Sequence, residues 1–281
     1  MHVLVAGAGW LGGALARSLA ARGHRVTAVR RDPAAAGALA APGIVPLALD
    51  LAAPGAEEGL PRDLDAIVAC QSAGGEGAAA YREAYVGVTG ALLRRAARAD
   101  RPLAFVYTGS TGVFGQGGGV EVDEETPPLA VSPASAVLRE AELLVTGASG
   151  PGLRTAVIRL SGLYGPGREW PVERVRSGRI ALGPGDAAWL NLLHRDDAVA
   201  AVEAVLERGR PGAVYHGTDA EPVRRGDLVR WVAGRLGIPP PRLPDGAAPP
   251  PTPDRRVRGD RTRAELGVRL KYPSFREGLA A

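Results

Sequence analysis

The most constraining feature of this chain is a glycine-rich segment close to its first residue. An apolar run from Val3 to Ala6 leads directly into Gly7-x-Gly9-x-x-Gly12, which opens a stretch with leucines at helical spacing. In a strand–turn–helix of this kind, the first glycine permits a tight turn and the second lets the backbone approach a pyrophosphate. The third lets the helix pack close to the strand, and the helix N-terminus offers free N–H groups to phosphate. The segment therefore predicts a dinucleotide-binding unit.

Two arginines at the end of the next apolar run indicate which dinucleotide is bound. In an NAD-binding unit, an Asp or Glu about 20 residues past the glycines holds the ribose 2′-hydroxyl. Here Arg30 and Arg31 stand at that place, and a guanidinium group suits a 2′-phosphate. The sequence therefore favours NADP(H) over NAD(H) as the cofactor. Asp32 follows directly and keeps NAD(H) open as the alternative, in which case the arginines form a solvated strand end.

Composition narrows the class of protein further. The chain has 281 residues and no apolar stretch near the roughly 20 residues that span a bilayer. Its one cysteine, Cys70, excludes an intrachain disulfide, and its first residues lack the charged region and cleavage site of a signal peptide. We therefore expect a cytoplasmic protein with no membrane partner. A net charge of +4 with scattered arginines predicts no nucleic-acid partner, and the dispersed histidines predict no metal site.

Apolar and helical segments alternate through the first two thirds of the chain. Such alternation is typical of an α/β fold, and we expect a Rossmann-type doubly wound parallel sheet with a small C-terminal substrate lobe. Residues 1–165, rejoined by 186–220, are expected to form the dinucleotide-binding domain. Residues 166–185 and 221–281 are expected to form the smaller lobe. The proline-rich stretch 238–253 within that lobe is expected to be a surface loop.

Further motifs follow in order along the chain. They are 107–115 (YTGSTGVFG), 124–127 (EETP), 159–168 (RLSGLYGPGR), 191–197 (NLLHRDD), 214–219 (VYHGTD) and 272–278 (YPSFREG). Together with the glycine segment, they resemble the extended and atypical short-chain dehydrogenase/reductase families, of the NAD-dependent epimerase/dehydratase type. The resemblance implies NAD(P)-dependent oxidoreductase chemistry and places Asp50 and Leu51 on the adenine side of the cofactor. The expected cofactor-binding residues are Gly7, Gly9, Trp10, Leu11, Gly12, Arg30, Arg31, Asp50 and Leu51.

One departure from the family pattern bears on the chemistry. The family's usual catalytic pair is Tyr-x-x-x-Lys, in which Tyr transfers a proton and Lys lowers the pKa of that Tyr. Here residues 131–142 contain neither residue type, no tyrosine lies between Tyr107 and Tyr164, and the sole lysine is Lys271. The polar residues of that region include Ser132, Ser135 and Arg139. The resemblance therefore implies the fold and the cofactor but leaves the proton donor open.

Four residues are candidates for catalysis. Ser110 lies where the family places a hydroxyl that polarises the substrate, and neighbouring Thr111 is the second choice. By the same resemblance, Tyr164 is expected near the nicotinamide, with a packed loop aromatic as the alternative. His194 can act as a proton donor because its free pKa lies near neutrality, although the family analogy favours a structural hydrogen-bonding role.

Three functions follow from these observations. The first is an NADP-dependent oxidoreductase that transfers a hydride to or from a small carbonyl, imine or sugar-like substrate. The second is a non-catalytic NADP(H)-binding sensor, which the missing Tyr and Lys favour and the retained Ser110 opposes. An epimerase or dehydratase ranks third, since those enzymes usually need the missing tyrosine. Homodimers are common in the resembling family, so a homodimer is also an expectation.

Overall fold

The computed structural model describes residues 1–73, 77–244 and 254–280. Its longer strands are rich in β-branched and other apolar residues, which fit a pleated, buried surface. In chain order the strands are β1 (His2–Ala6), β2 (Arg25–Arg30), β3 (Ile44–Ala48), β4 (Ala66–Ala69), β5 (Leu103–Ser110), β6 (Val120–Val122), β7 (Leu153–Leu160), β8 (Gly162–Tyr164), β9 (Trp189–Leu190), β10 (Leu192–His194), β11 (Ala213–Gly217), β12 (Val223–Arg224) and β13 (Arg255–Val257).

α-Helices lie between the strands and after the last strand. They are α1 (Trp10–Ala21), α2 (Pro33–Gly37), α3 (Ala78–Arg82), α4 (Val88–Ala97), α5 (Pro133–Gly147), α6 (Trp170–Arg176), α7 (Arg195–Arg208), α8 (Arg225–Leu236), α9 (Asp260–Leu266) and α10 (Phe275–Ala280). Helix α5 begins at a capping box, in which the side chains of Ser132 and Ser135 each accept from the other's backbone N–H. None of the helices in the described ranges is long and apolar enough to cross a membrane.

Seven of the strands form one sheet. Their order is β11-β7-β5-β4-β1-β2-β3, and every neighbouring pair is parallel. The direction in which strands are added reverses between β1 and β4. Sheets of this type bind ligands at such a switch point, outside the carboxyl ends of the strands. The α/β fold with a Rossmann-type doubly wound parallel sheet is therefore confirmed.

Apolar side chains pack against both faces of the sheet. Leu15 of α1 and Val202 of α7 are buried in the core on one face, while Leu92 of α4 and Val145 of α5 are buried in the core on the other. A further apolar cluster joins residues of α6 and α8 to Phe275 at the start of α10. This cluster draws on the segments expected to form the smaller lobe. The exact division of the chain into two domains stays a prediction.

Two local features differ from the pattern of the sequence. Tyr85, Val88, Leu92 and Ala96 lie at the spacing of one regular helix over residues 81–98, but a π-helical turn at Glu83–Gly87 separates α3 from α4. Strands β6 and β13 pair in parallel although β7 to β12 all lie between them in sequence. Of the expected surface loop at 238–253, residues 245–253 lie outside the described part of the chain.

Candidate functional site

A cavity of about 880 Å³ opens at the carboxyl ends of the sheet strands. Its walls come from the turn after β1, the ends of β2 and β3, the loop after β4, the π-helical turn, the end of β5 and the segment after β7. Predicted site residues that line it are Gly7, Gly9, Trp10, Leu11, Gly12, Arg30, Arg31, Asp50, Leu51 and Ser110. The structure thus brings the expected dinucleotide-binding residues and one expected catalytic residue to a single cavity.

The glycine turn has the geometry that a bound pyrophosphate requires. Gly7 has a φ of +85°, and a Cβ there would lie 2.6 Å from the backbone of Gln71. A Cβ on Gly12 would lie 2.4 Å from the carbonyl oxygen of Gly7, so α1 packs tightly on the turn. A Cβ on Gly9 would meet no atom of the described residues within 4 Å, and this face is open to the cavity. The first N–H groups of α1 are left free for an anion, since Gly9 caps the helix without a side chain.

Charged residues at the end of β2 and just after it lie on the cavity wall. The Arg30 guanidinium donates from Nη1 to the carbonyl oxygen of Ala8 at 3.2 Å, which holds the side chain beside the glycine turn. Arg31 is exposed on the same wall. The Asp32 carboxylate accepts from the backbone N–H of Ala35 at 2.7 Å and caps α2. Both arginines therefore remain available to an anionic group, whereas the carboxylate of Asp32 already has a structural role.

The end of β3 supplies the neighbouring part of the wall. The Asp50 side chain accepts from the backbone N–H of Ala52 at 3.1 Å and shapes the turn that follows the strand. Leu51 is buried and packs into the core on that face of the sheet. These two residues lie on the cavity beside the residues that end β2.

Trp10 links the glycine turn to the segment after β8. Its indole Nε1 donates to the carbonyl oxygen of Pro166 at 2.9 Å. The guanidinium carbons of Arg168 and Arg195 lie 5.4 Å and 5.3 Å from the indole ring centroid, within the range of cation–π contacts. Arg168 also lines the cavity, so it brings a further cation to the opening near the turn.

The two hydroxyl candidates after β5 have different environments. Ser110 lines the cavity, and its Oγ accepts from the backbone N–H of Gly112 at 3.0 Å, which leaves the O–H free to donate. Thr111 is buried and lies outside the cavity lining, and its carbonyl oxygen accepts from Nη2 of Arg255 at 2.6 Å. Ser110 is therefore the hydroxyl that a ligand in the cavity would meet.

The region of the absent Tyr-x-x-x-Lys pair is the first half of α5. Ser132 and Ser135 cap this helix, and Arg139 donates to Glu142 at 3.2 Å. The α5 side chain among the cavity-lining residues is Leu138, which brings no proton donor. The polar residues of this region therefore stabilise the helix and its buried surroundings.

Tyr164 and His194, two of the candidate catalytic residues, both lie outside the cavity lining. Their contacts are those of the alternatives given above, a packed loop aromatic for Tyr164 and a structural hydrogen-bonding role for His194. Tyr164 is fully buried, and its hydroxyl donates to the carbonyl oxygen of Ser274 at 3.4 Å. His194 is 2% exposed, and its Nδ1 accepts from the backbone N–H of Asp196 at 3.2 Å, which caps α7. Its ring lies 5.4 Å from that of Tyr164 and 4.0 Å from that of Tyr272, centroid to centroid. Burial lowers the pKa of His194 and raises that of Tyr164.

A comparison with protein families agrees with this arrangement. A model of the NAD dependent epimerase/dehydratase family matches residues 3–216. The chain belongs to this family. The match covers the seven-stranded sheet except His2 of β1 and Gly217 of β11, together with the cavity-lining residues.

Three relatives of this epimerase/dehydratase-family protein match it over different shares of its length. The chain is 38% identical over 116 residues to a 3-diazoavenalumate denitrifying reductase from Streptomyces, and that match spans 38% of each protein. It is 30% identical to protein YeeZ of Escherichia coli K12 over 96% of both chains. A solved structure of DesIV, a dTDP-glucose 4,6-dehydratase from Streptomyces venezuelae with NAD bound, is 25% identical. Its TM-score is 0.84, and the alignment covers 100% of this chain and 95% of that one.

Sequence reasoning missed several cavity residues of this family member. Ser161, directly after β7, is 7% exposed, and its Oγ has no hydrogen-bond partner among the described residues. Gln71, two residues beyond β4, donates from Nε2 to Thr89 at 3.0 Å, while its buried Oε1 has no partner in the described ranges. Tyr85 lies in the π-helical turn. The cavity position of Ser161 and Gln71 could have been inferred from the sequence, because residues just past parallel strands line such a crevice.

The described residues bring no group of three or more His, Cys, Asp or Glu side chains together in a way that could hold a metal ion. Cys70 lines the cavity, but burial raises the pKa of its thiol to about 12. The thiol therefore stays protonated near neutral pH and is a poor nucleophile.

Proposed function

We propose that this protein is an NADP(H)-dependent oxidoreductase that transfers a hydride to or from a small substrate with a carbonyl, imine or related group. The observation that carries the proposal is the placement of Arg30 and Arg31 on the same cavity as the glycine turn and Ser110. The cavity thus combines a site for the pyrophosphate, cations for a further phosphate and a hydroxyl for the substrate.

The preference for NADP(H) over NAD(H) rests on charge. A guanidinium group forms charge-assisted hydrogen bonds with a 2′-phosphate and gains little from a neutral diol. Asp32, the residue that would favour NAD(H), caps α2 through its carboxylate. The NAD-bound dehydratase structure supports a nicotinamide dinucleotide in general, and the arginines support the phosphorylated form.

Several residues of the chain would hold the cofactor and the substrate. The glycine turn and the N-terminus of α1 would bind the pyrophosphate, and Asp50 and Leu51 would contact the adenine side. When bound, the nicotinamide supplies or accepts the hydride. The Ser110 O–H would donate to the substrate's oxygen or nitrogen and stabilise the negative charge that develops there. We assign the substrate side of the site to the smaller lobe, supported by its separate apolar core.

The direction of the reaction is proposed to be reduction. One relative is by name a reductase, although the match spans 38% of its length. Reduction of a polar double bond needs a hydride and one proton, whereas the epimerase and dehydratase reactions usually rely on the tyrosine that α5 lacks. A second candidate function, a non-catalytic NADP(H) sensor, is favoured by Leu138 at the cavity surface of α5.

One experiment separates these two functions. The purified protein is mixed with NADPH and, in separate runs, with phenanthrenequinone, para-nitrobenzaldehyde or the cyclic imine pyrroline, and NADPH absorbance is followed. An oxidoreductase consumes NADPH in proportion to the acceptor added. A sensor binds NADPH but leaves it unoxidised with every acceptor, and such a result would refute the proposed reaction.

A further inference from the structure

The π-helical turn gives the cavity a tyrosine that the motifs do not indicate. Helices α3 and α4 are joined without a break by Glu83–Gly87. In this segment the backbone hydrogen bonds connect residues five apart, as in a π-helix, and not four apart as in an α-helix. Such turns are rare, and they occur frequently at functional sites. Glu83, Ala84, Tyr85 and Val88 of this region line the cavity. In this region Tyr85 packs against the apolar cluster that contains Leu92 of α4 and also lines the cavity.

The ring of Tyr85 is held by packing. It packs against an apolar cluster that includes Val113 and Phe114 after β5 and Leu138 of α5. The ring of Tyr81 lies 4.8 Å away at an interplanar angle of 52°. This cluster joins residues just past Ser110 to Leu138 of the helix that lacks the family's tyrosine, and Tyr85 packs against it.

Tyr85 is also the one tyrosine among the described residues that lines the cavity. The rings of Tyr107, Tyr164 and Tyr215 are buried in the cores, and Tyr272 stacks on His194 away from the cavity. Burial raises the pKa of Tyr85 to about 12, so its phenol keeps its proton at neutral pH. A neutral phenol can donate a hydrogen bond to a substrate atom and then give up the proton.

We propose that Tyr85 is the general acid of the reduction, in the place of the absent tyrosine of α5; this inference rests on the proposed function. The double-bond carbon of the substrate accepts a hydride, and the π electron pair moves to the attached oxygen or nitrogen. Tyr85 Oη donates its proton to that atom. The resulting tyrosinate takes a proton from water in the open cavity, so one hydride and one proton are consumed in each turnover.

The test compares Tyr85→Phe with the wild-type protein, using NADPH and phenanthrenequinone. Phenylalanine keeps the ring contacts and removes only the hydroxyl. We expect kcat to fall by about 100-fold or more, as is typical when a general acid is lost, with an unchanged Kd for NADPH. We also expect the wild-type kcat to be flat from about pH 6 to about pH 9, because Tyr85 stays protonated. In the variant, kcat should decline with rising pH, since solvent must then supply the proton.

Tyr272→Phe is the matched control, because it removes a phenol hydroxyl outside the cavity, and it should keep the wild-type kcat and pH profile. Wild-type turnover with an equally active Tyr85→Phe protein would overturn the role of Tyr85 and leave the proposed function intact. Failure of the wild-type protein to reduce any acceptor would overturn the proposed function, and the role of Tyr85 with it.

Discussion

The carboxylate of Glu142 on α5 forms a bidentate ion pair with the guanidinium of Arg159 on β7, in the interior of the protein. The distances are 2.8 Å to Nε and 2.9 Å to Nη2, and the two side chains are 0% and 2% exposed. The pair fixes α5, one wall of the cavity, to the strand whose end carries Ser161. Since both side chains are removed from water, the positive charge of Arg159 is stable in the interior only beside the carboxylate of Glu142.

We predict that Glu142→Gln lowers the free energy of unfolding by about 3–5 kcal/mol, because the charge of Arg159 is left buried without its counter-ion. Chemical denaturation measures this loss. Glu140→Gln is the matched control, since Glu140 lies on the same helix and pairs with Arg82 on the surface. The control substitution should lower the free energy of unfolding by no more than about 1 kcal/mol. Equal losses in both variants would contradict the assigned role of the buried pair.

The glycine turn offers a pair of variants that separate folding from binding. In Gly12→Ala, the new Cβ would lie 2.4 Å from the Gly7 carbonyl oxygen, so we predict destabilisation by about 1–3 kcal/mol and a lower Tm. In Gly9→Ala, no atom of the described chain lies within 4 Å of the new Cβ. We predict that Gly9→Ala keeps the wild-type Tm and weakens NADPH binding at least tenfold. Thermal unfolding and NADPH titration of both variants check this, and undiminished NADPH binding by Gly9→Ala would place the pyrophosphate elsewhere.

The double variant Arg30→Ala/Arg31→Ala tests the cofactor preference. We predict that it weakens NADPH binding by about 1–3 kcal/mol and affects NADH binding far less, because charge-assisted hydrogen bonds to the 2′-phosphate are lost. Calorimetric titration with each cofactor measures both values. Arg62→Ala, at an exposed arginine that does not line the cavity, is the control and should bind both cofactors as the wild type does. The same loss for NADPH and NADH would rule out contact with the 2′-phosphate.

The buried histidine at the start of α7 predicts a sensitivity to acid. Burial lowers the pKa of His194 in the folded protein, whereas in the unfolded chain it binds a proton near pH 6.5. The unfolded state therefore takes up more protons as the pH falls below about 6.5, and stability is lost in that range. Protonation also removes the Nδ1 lone pair that caps α7.

We predict that His194→Asn reduces this acid sensitivity. Asparagine retains a side-chain acceptor for the helix cap and does not titrate. Urea denaturation at pH 7 and at pH 5 should give a smaller drop in the free energy of unfolding for the variant than for the wild type, although the smaller side chain lowers stability at both pH values. The same drop in both proteins would show that His194 does not contribute to the pH dependence.

The parts of the fold that follow from local pattern were predictable from the sequence. The glycine turn and the alternation of strands and helices lead to the parallel sheet, and the residues just past β1 and β2 could be assigned to one crevice. Tyr164 and His194 could not be placed in this way. Tyr164 donates to the backbone of Ser274 and His194 packs against Tyr272, and these two partners lie far along the chain. A motif next to a crevice does not reveal such long-range packing.

Tyr85 shows a second kind of limit. Helical spacing places Tyr85 on the same face as Leu92, and its ring does pack on the cluster that contains Leu92, but the spacing does not indicate that Tyr85 also lines the cavity. The π-helical turn shifts the spacing by part of a turn, and the chain carries no local signal for it. The side chain that we propose as the general acid was therefore visible only in the structure.

Calorimetric titration of the purified wild-type protein with NADPH and, separately, with NADH tests the central claim most directly. Tight binding of NADPH and weak binding of NADH is the result that the arginines and the glycine turn predict. Failure to bind either cofactor would contradict the assignment of the cavity as a dinucleotide site, and the proposed reductase function would fall with it.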